Sequence, residues 1–302
     1  MQNRFACSVL ALGVATLLAA CGGGGADAGG TGQLTLQVTD APVDEATKVV
    51  VQFTGVELKP SGANPINIDY PTPRTIDLLA LQGGDVASLL DGETVLSGLY
   101  DWIRLKVVTS QSTLDSYLEK SGGEKFPLYV PSGSQSGLKL VRGFTVPVNG
   151  SASFTIDFDL RKSVVDPSSG SFTGYYLKPA LRLVDNAQVG SITGTVALSA
   201  LCATPNGPSV YVYAGNGVTP DDIDNAGVEP VTTAAVKETS VGSGVYTYKA
   251  AFLSPGNYTV AFTCVGATDQ PESSENLAFL GTRNATVTAN VNNQQNFNAP
   301  PP

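Results

Sequence analysis

The stretch Ser153-Phe154-Thr155-Ile156-Asp157-Phe158-Asp159-Leu160 alternates apolar and polar residues without a break. A period of two puts Phe154, Ile156, Phe158 and Leu160 on one face of an extended chain, with Thr155, Asp157 and Asp159 on the other. A helix would scatter the same residues around its circumference, so this is a strand with one face toward a core. The pattern recurs on both sides of it. Upstream, residues 33–40 put Leu34, Leu36 and Val38 on one face and end in an Asp40-Ala41-Pro42 turn. Residues 48–58 are rich in β-branched side chains, residues 75–78 form a third short run, and residues 100–108 alternate again. Residues 85–90 read as a helical turn, and residues 175–183 complete a first set. A second set starts at Gly190, with runs at 191–198, 209–214, 244–252, 253–264 and 282–291. No stretch sustains a 3.6-residue period. Short strands punctuated by Gly and Pro predict an all-β protein with two β-sandwich domains in tandem, residues 33–187 and 190–302, the second ending in a polar, Pro-rich tail.

Composition narrows the chemistry. The chain of 302 residues has no histidine, which removes Ser-His-Asp triads, Cys-His dyads and His-ligated zinc. Its net charge of −9 repels phosphate backbones, so nucleic acid is not an expected partner. No G-x-S-x-G elbow and no P-loop occurs. The cysteines Cys7, Cys21, Cys202 and Cys264 fit no C-x-x-C spacing.

The N-terminal segment points to a location. Arg4 precedes an apolar run, residues 5–20, of signal-peptide length and short for a membrane span. The run ends in Leu18-Ala19-Ala20-Cys21 and is followed by four glycines. This segment resembles the lipobox of bacterial lipoproteins; the other reading is a secretory signal with an incidental cysteine. The resemblance implies cleavage of residues 1–20, acylation of Cys21 and attachment to a membrane through several acyl chains. Gly22 in place of Asp after the cysteine implies the outer membrane. Residues 21–32 are rich in Gly and Ala and form a flexible tether. Cleavage would remove Arg4 and Cys7, leaving 16 basic against 26 acidic residues. Cys202 and Cys264 would then be the thiols of an exported domain, where a disulfide is expected.

Candidate sites are sparse. Asp40 and Asp44 flank a turn, and Asp157 and Asp159 share a strand face; clustered carboxylates of this kind suit Ca2+, which takes six to eight oxygens. The competing reading is a solvated polar face paired with Arg161 or Lys162. Paired carboxylates also serve glycoside hydrolysis, the enzyme alternative for this chain. Asp222-Ile223-Asp224-Asn225-Ala226-Gly227 partly matches a calcium loop, but Ala226 and Thr233 stand where ligands belong. It reads instead as a turn or short helix capped by Thr219. The sole tryptophan, Trp102, and the tyrosines Tyr211, Tyr213, Tyr246 and Tyr248 suit either a core or a binding surface.

Two further resemblances cover most of the remaining chain. Residues 36–44 (LQVTDAPVD), Gly55-Val56-Glu57-Leu58, Ile76-Asp77-Leu78-Leu79, Gly98-Leu99-Tyr100 and residues 158–164 (FDLRKSV) follow one another as in an uncharacterised bacterial lipoprotein family carrying a domain of unknown function. That resemblance spans about residues 33–187 and implies no activity. Gly194-Thr195-Val196 and Leu253-x-Pro255-Gly256-x-Tyr258-x-Val260 are similar to transthyretin-like and carboxypeptidase-regulatory-like sandwiches, which implies a spacer or binding surface. Together these readings predict a non-catalytic cell-envelope lipoprotein, a binding or structural module with a glycan or an envelope protein as partner.

Overall fold

The computed structural model describes residues 29–41, 46–131, 137–167, 172–270 and 273–298; the lipobox with Cys21, and Asp44, lie outside them. The first unit contains β1 (Thr31–Ala41), β2 (Ala46–Pro60), β3 (Ile66–Asp77), β4 (Ala87–Leu96), β5 (Gly98–Val108), β6 (Tyr117–Lys120), β7 (Lys125–Tyr129), β8 (Leu138–Leu140) and β9 (Phe144–Val146). It continues with β10 (Ser151–Asp159), a single helical turn α1 (Leu160–Ser163), β11 (Val164–Val165), β12 (Tyr175–Leu177) and β13 (Leu181–Asp185). These strands form two sheets. One has the order β13-β10-β1-β4; the other runs β11-β12-β7-β6-β2-β5-β8, with β3 on β2 and β9 on β5.

The two strands with the clearest alternation lie side by side in the middle of the smaller sheet. β1 pairs with β10 in parallel, Leu36 opposite Phe154 and Val38 opposite Ile156. Their apolar faces are fully or almost fully buried and meet the larger sheet through Val51, Phe53, Ile103 and Leu105. Phe144 stacks on Tyr100 at 4.9 Å between ring centroids and meets Phe154 edge-on at 5.1 Å. Such pairs add directional preference to apolar burial.

One local expectation is corrected. Residues 85–90 do not form a helical turn: β4 begins at Ala87 and pairs with β1, with Leu90 opposite Leu36. The helical turn falls at Leu78–Leu81, where the Asp77 side chain accepts hydrogen bonds from the backbone N–H of Leu79 and of Val49, each at 3.2 Å. A carboxylate that satisfies two otherwise orphaned donors fixes the turn there, and the leucines at 89 and 90 gain more from the sheet.

The second unit contains β14 (Gly190–Val196), the helical turn α2 (Leu198–Leu201), β15 (Ser209–Ala214), β16 (Thr232–Ala235), β17 (Lys237–Glu238), β18 (Tyr246–Leu253), β19 (Gly256–Thr263), β20 (Phe279–Val287) and β21 (Asn292–Gln294). Its sheets, β17-β18-β14-β21 and β16-β15-β19-β20, enclose Ile192, Val210, Val212, Val260 and Phe262. Gly194 lies where the chain leaving β21 runs alongside β14: a Cβ there would come within 1.8 Å of the Gln295 carbonyl oxygen, so no other residue fits without moving that chain. Cys202, at the end of α2, is bonded to Cys264, at the end of β19, with Cα atoms 5.7 Å apart. No helix among the described residues is long and apolar enough to cross a membrane.

The disulfide closes a loop with a sequence separation of 62. Loop-closure entropy makes a link of that span worth about 4 kcal/mol. The double variant Cys202→Ser/Cys264→Ser should unfold at lower urea by that margin, and the native chain should take up two more alkyl groups after reduction than before it. An unchanged unfolding midpoint would show that the bond does not hold the second sandwich together.

Candidate functional site

The polar face of β10 is not solvated. Thr155 is fully buried and Asp157 is only 9% exposed. The second unit stands over this face, and residues 232–235 of β16 line the same cleft as Thr39, Asp40 and Asp157. The cleft has a volume of about 420 Å3, within the range of small-ligand sites. Its walls are hydroxyl-rich, with Thr193, Thr195 and Thr247 facing the first unit's loop at Gln82–Gly84. That loop approaches β18 closely: Gly84 has φ +92°, and a Cβ there would sit 2.9 Å from both the Lys249 ammonium and the Ala251 methyl. Glycine is required twice over, by conformation and by space. The loop is drawn in by Thr39, whose hydroxyl lies 3.0 Å from the Leu81 carbonyl and 2.7 Å from that of Asp85.

The sequence-derived carboxylates separate in space by role. Asp157 pairs with Arg182, its cross-strand neighbour on β13, and not with Arg161 or Lys162. Asp159 caps α1, accepting from the Lys162 backbone N–H at 3.3 Å, and its other oxygen lies 3.9 Å from the Lys162 ammonium. Burial pushes both carboxyls above their ordinary range, against the pull of Arg182 and of Lys162 respectively. Asp40 is buried at the cleft. Trp102 is half-buried on the outward side, with the Lys139 ammonium 4.2 Å and the Arg104 guanidinium 5.2 Å from its ring centroid.

Below the cleft the units are joined by a buried polar contact. Arg161, on α1, reaches into the second unit and donates to the Tyr211 hydroxyl at 2.6 Å. Tyr211 in turn donates to Asp269 Oδ2 at 2.6 Å, and the guanidinium lies 3.6 Å from that carboxylate. The Arg161 side chain is 3% exposed and that of Asp269 is 0% exposed. Desolvation raises the pKa of Asp269, opposed by the Tyr211 hydrogen bond and by Arg161. It also raises that of Tyr211. A nearby ion pair, Lys162 to Glu229 at 2.7 Å, crosses the same boundary.

Sequence reasoning missed this contact, although a signal for it was present. β15 reads Val210-Tyr211-Val212-Tyr213 with every residue buried. A strand apolar on both faces is covered on both faces. Here the valines enter the sandwich core while Tyr211 and Tyr213 pack with Ile223 and Ala261 beneath the loops. The calcium-loop-like stretch at 222–227 forms no helical turn; it is an irregular loop. Acidic side chains hold it by accepting backbone N–H groups: Glu229 takes those of Asp224 and Asn225, and Asp224 takes that of Ala226.

The elements of the first unit have a recorded counterpart. Residues 31–179 match the family model described as Domain of unknown function (DUF4382). The DUF4382 match runs from β1 to just before β13, and so contains Arg161 but neither of its partners in the second unit. No curated protein matches the chain. Solved structures superpose only loosely. The TIE protein of Bacillus anthracis is 11% identical, with a TM-score of 0.20, over 88% of this chain and 33% of its own. GBS52, the minor pilin of Streptococcus agalactiae, is 10% identical, with a TM-score of 0.21, over 89% of this chain and 97% of its own. BcpA, the major pilin subunit of Bacillus cereus, is 13% identical, with a TM-score of 0.19, over 89% and 71%. The chain thus spans a third of the length of the first of these, and TM-scores near 0.2 are too low to assign a shared fold.

Removing one partner from a buried ion pair leaves the other charge uncompensated, at a cost of about 3–5 kcal/mol. Arg161→Met should show a loss of that size in urea unfolding, and Tyr211→Phe a smaller one of about 1–3 kcal/mol. A double-mutant cycle between Arg161 and Asp269 should give a coupling energy above about 0.5 kcal/mol. Simple additivity would mean that the two side chains do not act as a pair.

Acid stability follows from the same burial. Burial raises the pKa values of Asp77, Asp157, Asp159, Asp221 and Asp269 above the ordinary range of an aspartate. A raised carboxyl binds its proton more tightly when folded, so its contribution to stability is complete below the unfolded value and lost as pH rises through the folded one. With chelator present, Tm should therefore rise as pH falls from about 7 toward 3.8, as followed by circular dichroism. A steady fall over that window would contradict the assignment.

Proposed function

We propose that the protein is a lipid-anchored module of the cell envelope that binds and does not catalyse, presenting the cleft between its two units to a glycan or an envelope protein. The observation that carries this reading is the buried contact Arg161–Tyr211–Asp269. Two spacers strung on a chain need no buried charge between them, whereas a binding cleft keeps its shape only if its walls are fixed to each other. The cleft chemistry agrees. Threonine hydroxyls both donate and accept hydrogen bonds, and Lys237 and Lys249 add donors at the rim, a set suited to hydroxyl-rich or anionic ligands. The carboxylates of β10 are engaged by Arg182 and Lys162. That favours a positioning role over the paired-carboxylate chemistry of a glycoside hydrolase. The anchor rests on the lipobox resemblance at Cys21 and the glycine-rich stretch after it.

Cys21→Ser should move the protein from the membrane fraction to the soluble envelope fraction, and full membrane retention would overturn the anchor. Lys249→Glu should weaken retention of the protein on isolated cell-wall polysaccharide at least tenfold while leaving Tm within a few degrees. If the polysaccharide is instead cut, and Asp157→Asn abolishes the cutting, the enzyme reading replaces this one.

A further inference from the structure

We propose that Asp222, Asp269 and Glu275 form a binding site for Ca2+, separate from the cleft and from the carboxylates of β1 and β10. The three residues are distant in sequence. Asp222 follows β15, Asp269 follows the helical turn Gly266–Thr268, and Glu275 lies six residues further on. One carboxylate oxygen from each lies within 4.8 Å of the other two, the one such group of three among the described residues. An ion that binds oxygen at about 2.3–2.6 Å can seat its ligands at most about twice that distance apart. The spacing is therefore that of oxygens around a common centre.

The second observation is an oxygen with no partner. Asp222 is 1% exposed; its Oδ2 accepts the Glu275 backbone N–H, its buried Oδ1 accepts from no donor, and the like-charged carboxyl of Asp221 lies beside the same side chain. A buried carboxylate oxygen left without a donor or a cation is costly. The other two carboxylates are oriented by neighbours and keep spare lone pairs. Asp269 accepts from the Ile223 N–H at 3.1 Å and from the Tyr211 hydroxyl. Glu275 accepts from the Gln270 N–H at 3.0 Å and from the Ser273 hydroxyl. Each of these oxygens carries a second lone pair free for a metal.

Charge and ligand chemistry select the ion. Among the described residues the three carboxylates, with that of Asp221 beside Asp222, face the cationic side chain of Arg161, 3.6 Å from Asp269. One guanidinium leaves a surplus of negative charge, which a divalent cation offsets. An all-oxygen set without His or Cys favours Ca2+ or Mg2+ over zinc or copper. Ca2+ fits better, because Mg2+ keeps most of its waters and seldom takes three protein carboxylates in one buried cage. The ion would clip the 215–230 loop, through Asp222, to Asp269 and Glu275, bracing Tyr211, which donates to Asp269 and which Arg161 grips.

The full chain, stripped with EGTA, is titrated with CaCl2 and separately with MgCl2 by calorimetry, and its melting is followed with and without Ca2+. One Ca2+ per chain is expected, bound more tightly than Mg2+. Tm should rise by about 5 °C or more when Ca2+ is in hundredfold excess over its Kd. Asp222→Asn and Glu275→Gln should each weaken binding at least tenfold. If Asp222→Asn does not fold, the half-exposed position of Glu275→Gln carries the test. No heat and no shift in Tm would overturn the site, as would binding that survives both substitutions, since the ion would then lie elsewhere.

Discussion

The guanidinium of Arg161 is buried against a hydroxyl and a carboxylate from another sandwich. A charge taken out of water must be paired and hydrogen-bonded or its burial is prohibitive. Once Arg161 is committed to Tyr211 and Asp269, much else follows. The second unit is held over the polar face of β10 at Asp157, and the space left between Gly84 and β18 becomes a walled cleft. Tyr211 is pinned from both sides, by the arginine and by Phe279 edge-on at 5.3 Å. The loops that bring Asp222 and Glu275 to Asp269 close over the same ring.

Much of the strand architecture was legible because alternation reports a one-sided core. β1, β2, β5, β10, β15, β18 and β19 all announce themselves in this way. β3 was mostly hidden: it pairs with β2 along its length, yet its residues 66–75 are largely exposed and polar, so the side-chain pattern carries little trace of a strand. The very short strands β8, β9, β11, β17 and β21 are too brief to show a period at all. A helical turn at residues 85–90 does not form because irregular pairing between β1 and β4 lets both Leu89 and Leu90 be buried in a strand.

The functional geometry was less legible, for a physical reason. Alternation says that Asp157 and Asp159 leave the apolar face; it cannot say what meets them there, because the partner surface comes from residues tens of positions away. The motif residues at 158–164 turn out to be structural in a particular sense. Asp159 caps the turn, Ser163 donates to the Ala180 carbonyl at 3.3 Å, and Arg161 is thereby aimed outward. This short string is thus a device for presenting one cation toward the second unit, and the DUF4382 match ends before the surface that receives it.

The placement of β1 has a mechanical consequence. It is the first described strand of the chain, it lies in the interior of its sheet, and it is paired along its length with β10 in parallel and β4 antiparallel. A pull delivered through Thr31 runs along the axis of that strand. Its hydrogen bonds to both neighbours then share the load in shear instead of opening one after another from an end, so the sandwich meets tension arriving from the N-terminal side with its strongest geometry.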